Sequence, residues 1–465
     1  MVKLEKSGEK GIGFSPQTGG GAMTEPMAEC IRREARFKGI ERFDKKVPLA
    51  SPSLLGAGMD DINKLFEPEA AEGEIHALEK EIAEYIGVNY AAALSSETAA
   101  IHMAVKLAAE KIYGSASGIS TPDGLGKGGA LYGRRVFCAD MISAGAVYPV
   151  IYEGGEPIFV DISPVDWCMD PEVLEIAFER YPDVKIVIMT HLYGFPGQIK
   201  RIQEICREHG ALLIEDAAES LGASVDGKRT GSFGDYGVLS FDSDKIITGL
   251  AGGMLLANDR YSAEKAKKWA GRSAAAAPWS HYDELGYDYG MSSITARLIR
   301  NQFKYLDEHI AKKRAVYERY QKRFDGDLIL MNPIGEGTEP NYWISCMTVE
   351  SSIAFRETRS EREYTYESQH GTAAPMEILD AFQAFHVEGK PIRKPMHMQP
   401  VFRSHEQITL DGGRRTYEQF YMDSFLIRGN ESEALFKRGV CLPSDVRMTE
   451  EEQERVMDVI WGCFD

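Results

Sequence analysis

The stretch from residue 137 to residue 260 alternates short, almost continuously apolar runs with longer amphipathic runs. Apolar runs predict strands at 158–161, 185–190 and 211–215, with a further strand upstream at 91–96, and the amphipathic run at 199–209 predicts a helix. Strands that are apolar on both faces are typical of a mostly parallel sheet covered by helices on both sides. The sequence therefore predicts an α/β fold, in which sites collect at the carboxyl ends of the strands.

Helical patterns lie on both sides of this stretch. A helix is predicted from Ala77, with Gly87 as its stop, and another from Thr98, directly after the strand at 91–96. A long helical segment begins near Met291 and continues to about residue 320, where it leads into a C-terminal α/β subdomain. The charged, aliphatic-poor stretch 350–372 is interpreted as a loop or an insertion.

Polar residues fall where the predicted strands end. Asp216 closes the run at 211–215, and Ser96, His191 and Ser240 lie at corresponding positions. Lys245 follows Ser240 in a polar turn. A lysine that forms a Schiff base and a carboxylate that keeps a pyridine nitrogen protonated are what pyridoxal phosphate needs. The alternative is structural, because a loop lysine is commonly a solvated charge and an Asp at a strand end is commonly a cap.

Length, charge and cysteine content narrow the class of protein. The 465 residues are enough for a large core with a smaller domain attached, and the net charge of −18 argues against binding nucleic acid or an anionic membrane. No signal peptide and no membrane-spanning run is visible, so we expect a cytoplasmic protein. The seven cysteines form no CxxC pair and are interpreted as buried, reduced thiols.

The sequence does not predict a metal site or a glycine-rich nucleotide-binding loop. His191 and His397 have no partner at metal-ligand spacing, so no metal site is predicted. The Gly-rich run 124–129 lacks a Ser or Thr after Lys127 and does not follow a convincing strand, so it is interpreted as a surface loop and not as a nucleotide-binding loop.

Further motifs follow one another in order along the chain. They are the segments 92–102, 155–161, 191–194, 215–223 and 230–236, the Lys245 segment with Gly252 and Gly253, and the segments 341–343, 394–400 and 441–444. Together they resemble the DegT/DnrJ/EryC1/StrS family of pyridoxal-phosphate-dependent nucleotide-sugar aminotransferases, over roughly residues 48 to 465. The likeness is greatest to the branch that makes UDP-linked 4-amino-4,6-dideoxy-N-acetylhexosamines.

The resemblance implies the type I, aspartate-aminotransferase-like fold, working as a homodimer with composite active sites. It implies a large cofactor-binding domain at 48–310 and a small C-terminal domain at 311–465, which leaves an N-terminal extension at 1–47. This extension is predicted to be flexible at least to about residue 22, because that stretch is rich in Gly and poor in apolar residues. The implied reaction takes an amino group from an amino-acid donor, glutamate by family analogy, to a 4-keto-6-deoxy nucleotide sugar.

The resemblance also assigns roles to residues. Lys245 is the Schiff-base lysine and proton shuttle, Asp216 pairs with the pyridine nitrogen, and Glu219 lies beside the cofactor's ring oxygen. The phosphate is held by Thr98, Ala99 and Ser240, and a helix start at 96–102 suits an anion. Two further residues are assigned to cofactor contacts. Ser143 is at the position of the aromatic that stacks on the ring, and Asp288 is in a loop at 286–291 that enters the neighbouring subunit's site. Tyr193 and His397 are assigned to the substrate side.

Several positions depart from the family pattern around the cofactor. Glu97 replaces a Gly, which at 5–6 Å and an effective dielectric near 20 amounts to roughly 3 kcal/mol of repulsion per unit of phosphate charge. Ser143 cannot stack, a loss on the order of 1 kcal/mol. The remaining departures are Asp242 to Asp244, Asp288, Gly290 and Arg393. Two hypotheses remain open: a working aminotransferase, with a shifted substrate or neutral drift, or a catalytically decayed homologue or partner subunit.

Overall fold

The computed structural model describes residues 23–52, 65, 68–114, 129–324, 326, 328–350, 353, 356–360, 365–412, 414–416 and 430–464. The predicted flexible tail at 1–22 and the Gly-rich run up to residue 128 lie outside the described residues.

The helices and strands are numbered in chain order. The helices are α1 (Glu25–Arg32), α2 (Pro68–Ile86), α3 (Glu97–Tyr113), α4 (Ala144–Tyr152), α5 (Pro171–Arg180), α6 (Ile199–Glu208), α7 (Arg260–Ala270), α8 (Ser293–Phe303), α9 (Leu306–Arg323), α10 (Pro375–Phe385), α11 (Glu431–Arg438) and α12 (Glu450–Trp461). The strands are β1 (Tyr90–Leu94), β2 (Arg135–Ala139), β3 (Glu156–Val160), β4 (Ile186–Thr190), β5 (Leu212–Asp216), β6 (Ser224–Val225), β7 (Lys228–Arg229), β8 (Tyr236–Ser240), β9 (Gly253–Ala257), β10 (Ile329–Met331), β11 (Thr338–Glu339), β12 (Cys346–Val349), β13 (Glu357–Ser360), β14 (Thr365–Ser368), β15 (Lys390–Pro391), β16 (Glu406–Ile408), β17 (Arg414–Thr416) and β18 (Gly439–Cys441).

The central sheet is mostly parallel, which confirms the predicted α/β fold. Among the described residues its strand order is β1-β9-β8-β5-β4-β2-β3-β16-β17. The strands from β8 to β16 in this order pair in parallel, while β9 and β17 are antiparallel to their neighbours. Strands β4 and β8 are buried along their whole length, because helices cover both faces of the sheet. That burial explains the continuous apolar runs in the sequence.

Two predicted elements differ from the structure. The segment from Met291 is not one long helix: α8 ends at Phe303 and α9 begins at Leu306, because Tyr305 leaves the helical backbone conformation at φ −110° and ψ 10°. The stretch 350–372, interpreted as a loop or insertion, contains an antiparallel hairpin of β13 and β14. Its strands are polar on both faces, and so they carry no apolar alternation that would reveal them.

A second hydrophobic core lies in the C-terminal part of the chain. It is formed by α9, α10, α12 and the small sheet β10-β12-β18-β15. The described part of the N-terminal extension packs here, and the rings of Phe37 and Phe385 lie 5.3 Å apart. The predicted domain boundaries stay a prediction, and the structure adds that residues 23–47 share the core of the C-terminal part.

All seven cysteines are free, but they are not all buried as predicted. Cys30 is exposed because α1 is amphipathic and turns Ala28 and Ile31, not Cys30, towards the core. Within the described residues, no helix combines the length and apolar character that crossing a bilayer requires.

Candidate active site

Most of the predicted site residues lie at one edge of the central sheet. Asp216 and Ser240 are the last residues of β5 and β8, Ser143 begins the turn into α4, and Ser96 and Glu97 follow β1. Because these strands run in the same direction, their carboxyl ends meet at this edge. The fold alone therefore brings together residues as far apart in the chain as Ser96 and Ser240.

Lys245 lies between a carboxylate and an aromatic ring. Its Nζ is 3.9 Å from Glu219 Oε1 and 4.2 Å from the centre of the Trp343 ring, and its side chain is 9 % exposed. Trp343 is itself fixed, because its Nε1 donates a 2.7 Å hydrogen bond to the carbonyl of Asp244. The lysine amine is thus held in place and largely shielded from water.

Glu219 is the centre of the hydrogen bonds around Lys245. Its Oε2 accepts the backbone N–H of Tyr193 at 2.7 Å, and its Oε1 accepts Nη2 of Arg393 at 2.6 Å. Burial acts to raise the pKa of Glu219, but Arg393 and then Lys245 outweigh it, so the pKa lies below its usual value. Glu219 is therefore a buried carboxylate that stays ionised between two cations.

Asp216 has the opposite electrostatic character. Its side chain is buried, and its Oδ1 accepts the backbone N–H of Ala218 at 3.1 Å. Burial, followed by the nearby charges of Glu97 and Glu219, raises the pKa of Asp216 to about 8. A buried acid of this kind suits a cationic N–H partner, which would relieve the cost of its charge.

Glu97 is turned inwards and not to solvent. The residue is 8 % exposed, and Ser143 Oγ donates a 2.7 Å hydrogen bond to its Oε1. The same Ser143 Oγ accepts the N–H of Ala146 and caps α4. Two of the positions that depart from the family pattern are therefore bonded to each other.

The predicted phosphate contacts lie at the start of α3 and the end of β8. Ser96 Oγ accepts the N–H of Ala99 at 3.1 Å, so this amide already has a partner inside the helix cap. Thr98 is half-buried and faces Gly145, where a Cβ would come within 2.6 Å of Thr98 Oγ1. Ser240 is buried. The phosphate roles of Thr98, Ala99 and Ser240 stay predictions.

Tyr193 is held beside Glu219 by a constrained loop. Its backbone is left-handed at φ 57°, and its hydroxyl accepts the backbone N–H of Arg393 at 2.9 Å. Gly194, at φ 90°, has no room for a side chain, because a Cβ would overlap Asn341 Oδ1. Asn341 in turn donates to the carbonyl of Glu219 at 2.9 Å. The sequence motifs at 191–194 and 341–343 thus serve to fix the loop that carries Glu219.

His397 forms a buried pair with Asp140. Its Nδ1 lies 2.6 Å from Asp140 Oδ2, and its backbone N–H donates to Asp140 Oδ1 at 3.0 Å. Burial acts to lower the pKa of His397, but Asp140 outweighs it and the pKa is raised. Its Nε2 is buried and has no hydrogen-bond partner among the described residues. The substrate role assigned to His397 stays a prediction.

Asp288 does not join the other site residues within one chain. Its side chain is 75 % exposed and forms a 2.9 Å ion pair with Arg272. Its neighbour Tyr289 is anchored at the site's edge, because its carbonyl accepts the N–H of Ser95 at 2.8 Å. The predicted reach of Asp288 into a partner subunit stays a prediction. Across the described ranges, no group of three or more His, Cys, Asp or Glu side chains is placed to hold a metal ion.

Comparison with known proteins shows which family has a matching sequence. The family model of the DegT/DnrJ/EryC1/StrS aminotransferases matches residues 70–461. EpsN of Bacillus subtilis (strain 168), which is named as a pyridoxal phosphate-dependent aminotransferase, is 32% identical over 433 residues, 90% of this chain and 96% of its own. GDP-perosamine synthase of Escherichia coli O157:H7 is 28% identical over 361 residues, 77% of this chain and 87% of its own.

Two further matches bear on substrate and fold. The UDP-4-amino-4,6-dideoxy-N-acetyl-β-L-altrosamine transaminase of Campylobacter jejuni is 26% identical over 272 residues, 57% of this chain and 66% of its own. The crystal structure of a DegT DnrJ EryC1 StrS aminotransferase from Brucella abortus superposes with a TM-score of 0.69 at 20% identity, over 86% of this chain and 93% of that one. At that identity the structural match shows the fold alone.

The fold and the buried lysine define a pyridoxal-phosphate-dependent sugar aminotransferase. The chain belongs to the DegT/DnrJ/EryC1/StrS aminotransferase family. The residues present fit the cofactor: Asp216 is a buried acid suited to a pyridinium N–H, and Lys245 offers a shielded amine. Glu97, inward and acidic at the start of α3, is the residue that fits less well.

Sequence reasoning missed some of the residues that build this site. The sequence marks Trp343 and Asn341 as motif residues but gives them no role, and it marks Arg393 as a departure from the family pattern but gives it no partner. Asp140 was not singled out, although it follows the apolar run of β2 directly and so carries the same signal as Asp216. The hydrogen bond between Ser143 and Glu97 could not be predicted from the sequence, because the two residues follow two different strands.

Proposed function

We propose that the protein transfers an amino group from glutamate to C4 of a 4-keto-6-deoxy UDP-N-acetylhexosamine. The UDP-sugar assignment is supported by the name of the Campylobacter relative, and the reaction class by the family. The Escherichia coli relative is named for a GDP-linked sugar. The experiment must therefore distinguish a UDP-linked from a GDP-linked sugar substrate.

The observation that carries the proposal is the placement of Lys245. Its amine is buried, lies within 4 Å of Glu219 Oε1, and rests against the ring of Trp343. When bound, pyridoxal phosphate supplies an electron sink that stabilises negative charge on the substrate carbon. The amine of Lys245 would move a proton between the reacting substrate carbon and the aldehyde carbon of the cofactor, acting as general base at one and as general acid at the other.

Other residues support that proton transfer. Glu219 orients Lys245, and Trp343 covers the amine and excludes water from it. The pKa of Asp216 is raised to about 8. Its carboxyl group either carries a proton itself or faces the proton on the ring nitrogen of the bound cofactor. Arg393 keeps Glu219 ionised, and the negative charge of Glu219 lies near the amine of Lys245.

The departures from the family pattern support an altered working site better than a decayed one. Ser143 is bonded to Glu97, and Arg393 is bonded to Glu219. Unselected substitutions around a buried site would leave polar groups without partners, which costs about 1–3 kcal/mol for each group. Here each of the two carboxylates gains a donor, and among these four residues only Nη1 of Arg393 is a buried side-chain group without a partner in the described part of the chain.

The test is a direct assay of the purified holoenzyme. UDP- and GDP-linked 4-keto-6-deoxy sugars are each incubated with L-glutamate, and the amino sugar is identified by mass and NMR, which also reports the configuration at C4. We expect product with the UDP-linked substrate and none with the variant Lys245→Ala. Absence of an amino sugar with both substrates, in protein that retains its cofactor, would refute the proposal, and product with the GDP-linked substrate alone would refute the UDP assignment.

A further inference from the structure

Arg393 has an unused hydrogen-bonding group next to the reactive lysine. Its Nη2 is bonded to Glu219 Oε1, and its backbone N–H is bonded to the hydroxyl of Tyr193. Its Nη1 is buried and has no partner among the described residues. A guanidinium N–H left without an acceptor in a buried place is unfavourable, so we look for its partner outside the described residues, in a bound substrate.

The position of Arg393 limits what that partner is. Glu219 Oε1 lies 2.6 Å from Nη2 of Arg393 and 3.9 Å from Nζ of Lys245, so the two cations share one carboxylate oxygen. Lys245 must reach the carbon that loses or gains a proton. A ligand group that meets Nη1 of Arg393 therefore lies in the same part of the site as that carbon.

The charge and shape of the guanidinium select an anion. Burial acts to lower the pKa of Arg393, but Glu219, Tyr193 and Glu97 keep it raised, so the side chain stays a cation. A planar guanidinium matches the two oxygens of a carboxylate. The diphosphate of a nucleotide sugar does not meet these conditions, because it is attached at C1, across the sugar ring from C4.

We propose that Arg393 is a specificity-determining residue that binds a substrate carboxylate attached to the reacting carbon or to its neighbour. Two substrates can bring this group: the α-carboxylate of the amino-acid donor, or a C5 carboxylate on the keto sugar. The inference rests on the aminotransferase function proposed above. It goes beyond that function because it names the group by which one substrate is chosen.

The donor arm of the test compares L-glutamate with isoglutamine, its α-amide, which lacks the α-carboxylate charge. The rate at which each converts the cofactor is followed by absorbance in the holoenzyme. For the variant Arg393→Met, kcat/KM with L-glutamate should fall roughly 10- to 150-fold, the range for a hydrogen bond to a charged group. The rate with isoglutamine should stay within about threefold.

The sugar arm uses two nucleotide-linked 4-keto sugars that differ at C5, one with a carboxylate and one with a methyl group. They are added to enzyme loaded with pyridoxamine phosphate. A loss confined to the carboxylate sugar assigns Arg393 to the sugar, and a loss confined to L-glutamate assigns it to the donor. If Arg393→Met lowers neither rate, the proposal is overturned.

A binding measurement separates this proposal from the aminotransferase function. Calorimetric titration of the holoenzyme with glutarate, which has carboxylates but no amino group, needs no turnover. If the wild-type protein converts no donor, the proposed function fails, while weaker binding of glutarate by Arg393→Met still supports the role of Arg393. Equal affinity in both proteins overturns the assignment to the donor, and equal rates with the carboxylate sugar as well overturn the proposal.

Control variants guard against loss of folding. Arg393→Met with Glu219→Gln removes both partners of this ion pair, so no carboxylate at 219 is left buried without Arg393, and the variant should fold and still bind glutarate weakly. Arg393→Lys keeps the charge and should recover part of the affinity. Arg314→Met makes the same chemical change at a side chain that is 61% exposed and should bind glutarate as the wild type does.

Discussion

Ser143 Oγ donates a 2.7 Å hydrogen bond to Glu97 Oε1, across the ends of two different strands. The family pattern expects a Gly at 97 and an aromatic at 143, and each change seen alone looks like damage. Together they are compatible, because the serine supplies a donor to the buried carboxylate. The cost that remains is the negative charge of Glu97 near the predicted phosphate site.

Replacing Glu97 with Gln should tighten the binding of pyridoxal phosphate. The amide oxygen still accepts the hydrogen bond from Ser143, while the negative charge is removed. We expect the Kd, measured by fluorescence titration, to fall about tenfold, equivalent to about 1.4 kcal/mol. Glu84→Gln, at a side chain that is 68% exposed, serves as the control. An unchanged Kd would show that Glu97 does not act on the phosphate.

Replacing Ser143 with Ala should destabilise the protein. The serine caps α4 through Ala146 and donates to Glu97, and loss of an N-cap typically costs about 1 kcal/mol. Thermal unfolding should therefore show a lower Tm.

In the double variant Glu97→Gly with Ser143→Phe, the carboxylate no longer needs a donor and cofactor affinity should rise above that of the wild type. A double variant that binds more weakly would contradict the pairing.

Lys245 should carry the cofactor. With pyridoxal phosphate bound, the protein should absorb beyond 400 nm, and borohydride reduction should fix the label on the peptide that contains Lys245. Lys313 is an internal comparison, because burial lowers its pKa to about 8, while its Nζ is occupied by hydrogen bonds to the carbonyls of Trp343 and Ser444. Label on the Lys313 peptide would mean that the lysine assignment is wrong.

Asp216 should make the stability of the cofactor-free protein depend on pH. Its pKa is about 8 in the folded protein and lies near 3.8 for an ordinary Asp, so the folded state binds the proton more tightly. The free energy of unfolding should therefore fall as pH rises from about 4 to about 8, by at most about 1.4 kcal/mol per pH unit. Denaturant unfolding of Asp216→Asn should lack this contribution, and equal slopes would refute the shift.

The protein should be a homodimer whose sites are completed by the loop at 286–291. Light scattering at micromolar concentration should give about twice the mass of 51.7 kDa. Asp288 is exposed within one chain, so a dimer should protect the 286–291 peptide from hydrogen exchange compared with other exposed loops. A monomeric mass would contradict the dimer, and an unprotected peptide would contradict the role of the loop.

The sequence identified the residues that chemistry marks locally. Asp216 and Lys245 stand out because a carboxylate ends a buried apolar run and a lysine follows in a polar turn. The parallel sheet was likewise predictable, since strands buried on both faces leave continuous apolar runs. The hairpin at β13 and β14 was not, because its strands are polar on both faces and carry no such pattern.

What the sequence determined by itself is the α/β fold and the strand ends where polar residues gather, and it predicted the lysine and the carboxylate that we propose to carry the chemistry. Only the tertiary structure decided that Glu97 turns inwards to Ser143, that Arg393 shares Glu219 with Lys245, and that Asp288 lies on the surface of its own chain. The physical reason is that hydrogen bonds and charge interactions depend on distances of a few ångströms. Such distances between remote segments are set by packing and leave no local signal in the chain.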